Sequence, residues 1–223
     1  MSSAPRREHA IRVFAEEYEN AIHSFKTSDD DRAPNYVLLP SGASANRVFI
    51  VGTLTEFEQK ESENGNEYWE MRIVDPTGAF QIYVGQYEPQ PESVLRNMDP
   101  GDVPRYVSII AKTGTFGGEE EGEEPRSTLR PEHMTLLDEG PDDQSATAVR
   151  DRWVAEAIEQ TLDRLEIEAT GDYELSDDVD LDELVVELVT DGNVADAAEA
   201  RYGTDARDEV VETLRTALDS LDE

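Results

Sequence analysis

The sequence predicts an α+β multidomain chain: a five-stranded β-barrel with an N-terminal helix, followed by a small all-α module. Three observations predict it. Residues 46–139 hold five segments that alternate apolar and polar residues, with one helix-sized piece between the third and the fourth. Residues 147–223 space their apolar residues by three and four instead. The stretch "GPDDQSA" (140–146) between them has the composition of a linker.

Residues 1–45 read as the N-terminal helix and an extended lead-in. In "REHAIRVFAEEYENAIHSF" (7–25), Ile11, Phe14, Ala15, Tyr18, Ile22 and Phe25 fall on one helical stripe. "KTSDDDRAPN" (26–35) is a polar loop with a proline break, and "YVLLPSGASA" (36–45) is a short extended piece followed by a turn.

The first strand, 46–60, sets Val48, Ile50, Gly52 and Leu54 on one face and Phe49, Val51, Thr53 and Thr55 on the other. Both faces are largely apolar at its start, so it is a central strand, and Gly52 permits the sharp bend a barrel needs. The second and third strands, 67–74 and 79–87, meet at Asp75-Pro76-Thr77-Gly78. There proline presets one backbone angle of a tight turn and glycine tolerates the other. "QPESVLRNMDPGD" (90–102) is a short helix bounded by proline signals. The fourth strand is 104–116, "GGEEEGEEPRS" (117–127) is a loop, and the fifth strand is 128–139. Three strands, a short helix and two strands is the order of the five-stranded OB-fold barrel.

Four helices follow in the module. Val149, Trp153, Ala157, Ile158, Leu162 and Leu165 form the first stripe. Asp180 with Glu183 reads as a capping box for the second. Asn193 caps a short alanine-rich helix that stops at Gly203, and Val210, Val211, Leu214, Leu218 and Leu221 form the last stripe.

The chain carries 52 acidic against 19 basic residues, a net charge of −33. The excess runs the whole length, and the only lysines are Lys26, Lys60 and Lys112. Acid spread so evenly fits a protein that works in molar intracellular salt, where the Debye length is about 3 Å and self-repulsion is screened. It excludes a broad basic footprint. Hydrophobic residues make up 37% and recur with clear periods, which argues for a folded chain rather than a disordered one. The absence of cysteine excludes disulfides, thiolate chemistry and zinc–thiolate sites. No apolar run approaches the ~18 residues of a membrane span, and the first ten residues lack an apolar signal region. The expectation is a soluble, cytoplasmic protein with no membrane partner. His9, His23 and His133 lack metal-ligand spacing, and no phosphate loop, dinucleotide fingerprint or nucleophile elbow occurs. The reading is a binding protein without a cofactor, not an enzyme.

Strand parity separates core from candidate site. Trp69, Met71 and Ile73 share one face of the second strand with Phe80, Ile82 and Val84 of the third, and this apolar set faces the core. Tyr68, Arg72, Tyr83 and Tyr87 then point outward. Aromatic rings on an outer sheet face suit single-stranded nucleic acid, because every base offers a flat face to stack. Arginine can stack or bind phosphate. The flanking loops are 58–66, with Lys60, and 113–127, with Phe116; Phe57 and Lys112 stand at their edges. The candidate nucleic-acid-binding residues are Phe57, Lys60, Tyr68, Arg72, Tyr83, Lys112 and Phe116. Two features oppose this reading. The tyrosines could be packed beneath the N-terminal helix, and "EEEGEE" (119–124) repels phosphate at low salt.

"NRVFIVGTLTE" (46–56) and "VDPTGAFQIYVGQYEP" (74–89), with "AIRVFAEEY" and "DRAPNYVLLPSGA" upstream, resemble the haloarchaeal replication protein A-associated proteins. The likeness covers roughly residues 5–140. It implies an OB-fold component of a single-stranded DNA-binding complex, beside a replication protein A subunit, in replication and repair. In eukaryotic relatives the middle subunit carries a C-terminal winged-helix module that binds proteins. By analogy the tail is expected to be winged-helix-like and to bind repair proteins. The alternative expectation is an adaptor that scaffolds the replication protein A complex without touching DNA.

Overall fold

The computed structural model describes residues 8–28, 30, 33–62, 64–117, 125–138, 140–142, 144–169 and 180–222. Its centre is a closed barrel of β4 (Arg47–Glu61), β5 (Glu67–Val74), β6 (Ala79–Val84), β7 (Arg105–Phe116) and β8 (Arg126–Leu136), in the order β4-β5-β6-β8-β7. The strand β4 holds the barrel together because it is long enough to serve two neighbours. Its first half pairs with β7, from Arg47↔Lys112 to Leu54↔Arg105, and its second half pairs with β5, from Thr53↔Val74 to Glu61↔Glu67. The handover lies at Gly52–Leu54. A Cβ on Gly52 would stand 2.6 Å from the Val74 carbonyl oxygen, so this crossing requires glycine. Parallel pairing of Ile82 with Leu129 closes the ring.

Alternation carried the apolar set inward as expected. Val48, Ile50, Leu54, Met71, Ile73, Ile82, Val84, Val107, Ile109 and Leu129 are all buried. The helix α2 (Pro89–Arg96) lies between β6 and β7 in sequence, as the OB order requires. Gln90 on α2 donates to the Met134 carbonyl at 2.9 Å and accepts from the Met134 N–H at 2.8 Å, which ties the helix to β8. The helix ends at Arg96, and Pro100–Asp102 forms a separate 3-10 turn. The third strand stops at Val84 rather than residue 87. Glu88 turns the chain there, its carboxylate accepting from Gly85 N–H at 3.0 Å.

The N-terminal segment departs from the single helix its stripe predicts. Among its described residues only α1 (Ala15–Glu19) is helical. Upstream, Ile11 bridges to Val48, with Ile11 N–H donating to the Arg47 carbonyl. Downstream, His23–Lys26 is β1, which joins β2 (Asn35–Leu39) and β3 (Ala43–Ala45) in a three-stranded antiparallel sheet. The residues of the stripe did mark burial: Phe14, Ala15, Tyr18 and Phe25 are buried, but from successive short elements.

Among the described residues four helices follow: α3 (Ala146–Leu165), α4 (Leu181–Thr190), α5 (Val194–Tyr202) and α6 (Asp205–Asp219). Ser145 caps α3 by accepting from Ala148 N–H, and Asp180 caps α4 by accepting from Asp182 and Glu183 N–H. No strand that would form a wing occurs among the described residues of the tail. Trp153, Val154 and Ala157 of α3, with Leu214 and Ala217 of α6, belong to the same buried cluster as the barrel core. Val185 and Leu188 of α4 with Ala197 and Ala198 of α5 instead bury Phe25 and Leu38 of the small sheet.

Candidate nucleic-acid interface

The outward face of β5 and β6 is built by register. Met71 pairs with Ile82 and Ile73 with Phe80, all inward and buried. Tyr68, Glu70 and Arg72 on β5, and Gln81 and Tyr83 on β6, therefore stand outside. The Tyr68 and Tyr83 rings lie 6.1 Å apart, tilted at 55°, within the ~4.5–7 Å range of aromatic contacts. Tyr83 is 40% exposed and Tyr68 half-buried. The short helix α1 does not lie over them. It packs against the β5–β6 hairpin and the start of β6, where Ala15 N–H donates to Asp75, Tyr18 meets Phe80 at 6.2 Å and the Tyr18 hydroxyl donates to the Thr128 carbonyl at 2.7 Å. Burial there raises the Tyr18 phenol far above its ordinary value.

The cations beside the tyrosines are engaged. Lys60 lies within β4, not in a loop, and binds Glu70 directly, with Glu58 at 3.8 Å. The hydrogen bond to Glu70 raises the pKa of the ammonium. Arg72 stands opposite Glu56 and donates weakly to the Thr55 hydroxyl at 3.4 Å. A shallow groove lined by Thr55, Phe57, Lys60, Arg72, Gln81 and Val103 runs beside these groups.

Phe57 takes the other face. A bulge between Leu54 and Glu56 shifts the alternation of β4, so Phe57 pairs with buried Met71 and packs on Trp69 at 5.9 Å. Trp69 itself is half-buried at the rim of the core. Lys112 points outward from β7, 51% exposed, with Glu132 at 3.8 Å. Phe116 is exposed at the far end of β7, four residues and about 14 Å beyond Lys112 at ~3.4 Å per residue. Tyr87 is exposed in the turn after β6. The acidic run 119–124 lies outside the described residues.

One outward cation was absent from the sequence reading. Arg130 follows Leu129 on β8 as Tyr83 follows Ile82 on β6, and the parallel pair Ile82↔Leu129 sets the two side by side. The alternation of "TLRPEHM" marks Arg130 as outward, but nothing in sequence shows which strand β8 pairs with.

The tail offers less. Arg207 donates to the Leu165 and Ile167 carbonyls, and Arg201 stands 3.9 Å from Asp182, so both arginines serve the fold. Among the described residues no group of His, Asp and Glu could hold a metal ion, and no helix is long and apolar enough to cross a membrane.

No family model and no curated protein matches the chain. Among solved structures it is similar to the mitochondrial single-stranded DNA-binding protein of S. cerevisiae, at 22% identity and a TM-score of 0.33, over 42% of this chain and 97% of that one. It is also similar to the Plasmodium falciparum single-stranded DNA-binding protein in complex with single-stranded DNA, at 13% identity and a TM-score of 0.32, over 43% of this chain and 97% of that one. A third is an OBody bound to hen egg-white lysozyme, at 12% identity and a TM-score of 0.29, over 42% of this chain and 96% of that one. A fold of this kind does not fix a function, which has to be read from the residues of the site.

Proposed function

We propose that this chain is a single-stranded DNA-binding OB-fold protein that acts as a component or partner of a replication protein A-like complex, in DNA replication and repair in the cytoplasm of a halophilic archaeon. The observation that carries the reading is the open Tyr68–Tyr83 pair, 6.1 Å between ring centroids on the outer face of β5 and β6. The halophilic setting is supported by 52 acidic residues against 19 basic ones. The complex is supported by the resemblance of residues 46–56 and 74–89. Stacking on the tyrosines supplies affinity that salt does not screen, at ~1–3 kcal/mol per base.

Fluorescence anisotropy with a labelled oligothymidylate tests it, in roughly 2 M KCl so that screening leaves stacking dominant. The parent binds, and Tyr83→Ala weakens binding by ~1–3 kcal/mol. Equal affinity for both proteins removes the stacking site.

The second reading, an adaptor that binds no DNA, is favoured by the carboxylates around the tyrosines. Glu56 and Glu58 on β4 and Glu70 on β5 share that outer face. Because α3 and α6 share the barrel's core, the full chain is the one to use. Co-purification of a replication protein A subunit with the Tyr68→Ala/Tyr83→Ala variant, alongside a parent that binds no oligonucleotide, supports the adaptor.

A further inference from the structure

Following the strand pairs around the barrel from Tyr83 leads in two directions of unlike charge. Toward β5 and β4, the row runs Tyr83, Glu70, Glu58. On that side Lys60 is held by both of those carboxylates, Arg72 faces Glu56, and Glu61 opposes Glu67 at the hairpin. Toward β8, β7 and back to the start of β4, the row runs Tyr83, Arg130, Lys112, Arg47, because Arg130 pairs with Lys112 and Lys112 with Arg47. Adjacent strands are about 4.8 Å apart, so these side chains are immediate neighbours.

Three cations opposite one another are unfavourable for the sheet itself. They are also costly to concentrate in a chain with only 19 basic residues. Three carboxylates attend them, Glu8 acting on Arg47 beside the two that follow. Glu132 accepts from Arg47 Nη2 at 2.8 Å and lies 3.8 Å from Lys112, while Glu88 holds Arg130 at 3.1 Å. Glu88 is itself fixed by Gly85 N–H, so Arg130 is anchored at the end of β6. The Arg130 and Lys112 side chains remain 65% and 51% exposed. The cations are the exposed members of these pairs, Glu88 being 11% and Glu132 27% exposed, so each cation keeps N–H donors turned to solvent that a phosphate can accept from.

We propose that a single DNA strand stacked on Tyr68 and Tyr83 continues across the barrel over Arg130 and Lys112, which bind its phosphates, and not over Lys60 and Arg72. This rests on the function proposed above. The bases are held on β5 and β6, and the backbone is held on β8 and β7. Arg47, half-buried, takes the close hydrogen bonds of Glu132, which leaves Lys112 only the longer 3.8 Å pair with the same carboxylate.

The test is the salt dependence of oligothymidylate binding, with a labelled strand of about 16 nucleotides, the upper site size of one OB barrel. Each phosphate contact on a single strand contributes about 0.7 to the slope of log K against log[KCl]. Arg130→Gln with Lys112→Gln is expected to lower the slope by about 1.4. Arg130→Lys keeps its share, because the charge remains, and Arg215→Gln on α6 leaves slope and affinity at parental values. A double variant with the parental slope overturns the track while leaving the stacking site standing. A parent that binds no oligonucleotide at any salt overturns both. Circular dichroism melting of each variant separates a lost contact from a lost fold.

Discussion

The indole N–H of Trp153 donates to the Phe49 carbonyl at 2.9 Å, and the same ring meets Phe14 edge-on at 5.4 Å. One side chain of α3 thus joins the outer face of β4 to the N-terminal segment. Phe49 lies on the face of β4 that the barrel interior does not use, and Val51 on that face is fully buried. The tail therefore completes the barrel's outer layer.

Replacing Trp153 with alanine should destabilise the whole chain by about 3–5 kcal/mol, the usual loss for a buried aromatic. Trp153→Phe keeps most of the apolar area but leaves the Phe49 carbonyl unpaired, at roughly 1–3 kcal/mol. Denaturant unfolding followed by both far-ultraviolet circular dichroism and tyrosine fluorescence reads this. The two signals should shift together. Loss of helix signal with the barrel signal unmoved would show that the tail is independent of the barrel.

Gly52→Ala provides a sharper test of the barrel's closure. The added methyl would lie 2.6 Å from the Val74 carbonyl oxygen and 2.8 Å from Ile73 Cγ2. The first contact is backbone, so it cannot be relieved by a rotamer change. A loss of about 1–3 kcal/mol or more is expected, as for other overpacked cores. A variant as stable as the parent in urea titration would mean that β4 does not turn here.

Much of the barrel was legible because period-two alternation is a local signal. Met71, Ile73, Phe80, Ile82 and Val84 declare their side by parity, and that parity placed Tyr83 outside. What parity cannot show is a bulge. The irregularity between Leu54 and Glu56 turned Phe57 inward toward Trp69, although simple counting from Leu54 puts it outward. The N-terminal stripe misled for a related reason. Spacings of three and four describe a helix, but they also arise when a strand, one helical turn and another strand each bury a residue or two. Ile11, Tyr18 and Phe25 do so against three different partners. Arg130 was invisible as a neighbour of Tyr83 because the parallel β6–β8 pair spans 47 residues of sequence, and no local pattern reports it.

Asp75 links the β5–β6 hairpin to α1. Its Oδ2 accepts from Ala15 N–H at 2.8 Å, while Oδ1 accepts from Thr77 N–H and hydroxyl at 2.8 Å and Gly78 N–H at 3.0 Å. The carboxylate thus caps a helix 60 residues away while fixing its own turn. Asp75→Ala strands the Ala15 N–H in a buried site and should cost about 2–4 kcal/mol, from one unsatisfied donor plus the lost turn bonds. Thermal melting measures the loss. Asp75→Asn should fall between the two, since its NH2 faces donors that require an acceptor. A fully stable alanine variant would refute the capping role.

His23 gives the chain a dependence on pH close to neutrality. Its ring is buried between β1 and α4, stacked on Phe25 at 6.0 Å, and its Nε2 has no hydrogen-bond partner. Nδ1 lies 3.5 Å from Asp182, while Arg201 of α5 approaches the same carboxylate at 3.9 Å, and the Tyr202 hydroxyl accepts from His23 N–H. Burial lowers the imidazole pKa, Arg201 lowers it further, and Asp182 raises it only in part. In the unfolded chain His23 takes a proton near its ordinary value of about 6.5, whereas the folded chain resists it to lower pH. A depressed histidine therefore contributes full stability above about pH 6.5 and loses it as pH falls toward the folded value. The urea midpoint of the parent should drop as pH falls from about 7 toward about 5.5, the window set by an unfolded histidine pKa of about 6.5. His23→Phe, which preserves the stacking on Phe25, should flatten that part of the profile. Matching pH profiles for variant and parent would show that the neutral ring is not what holds α4 against the small sheet.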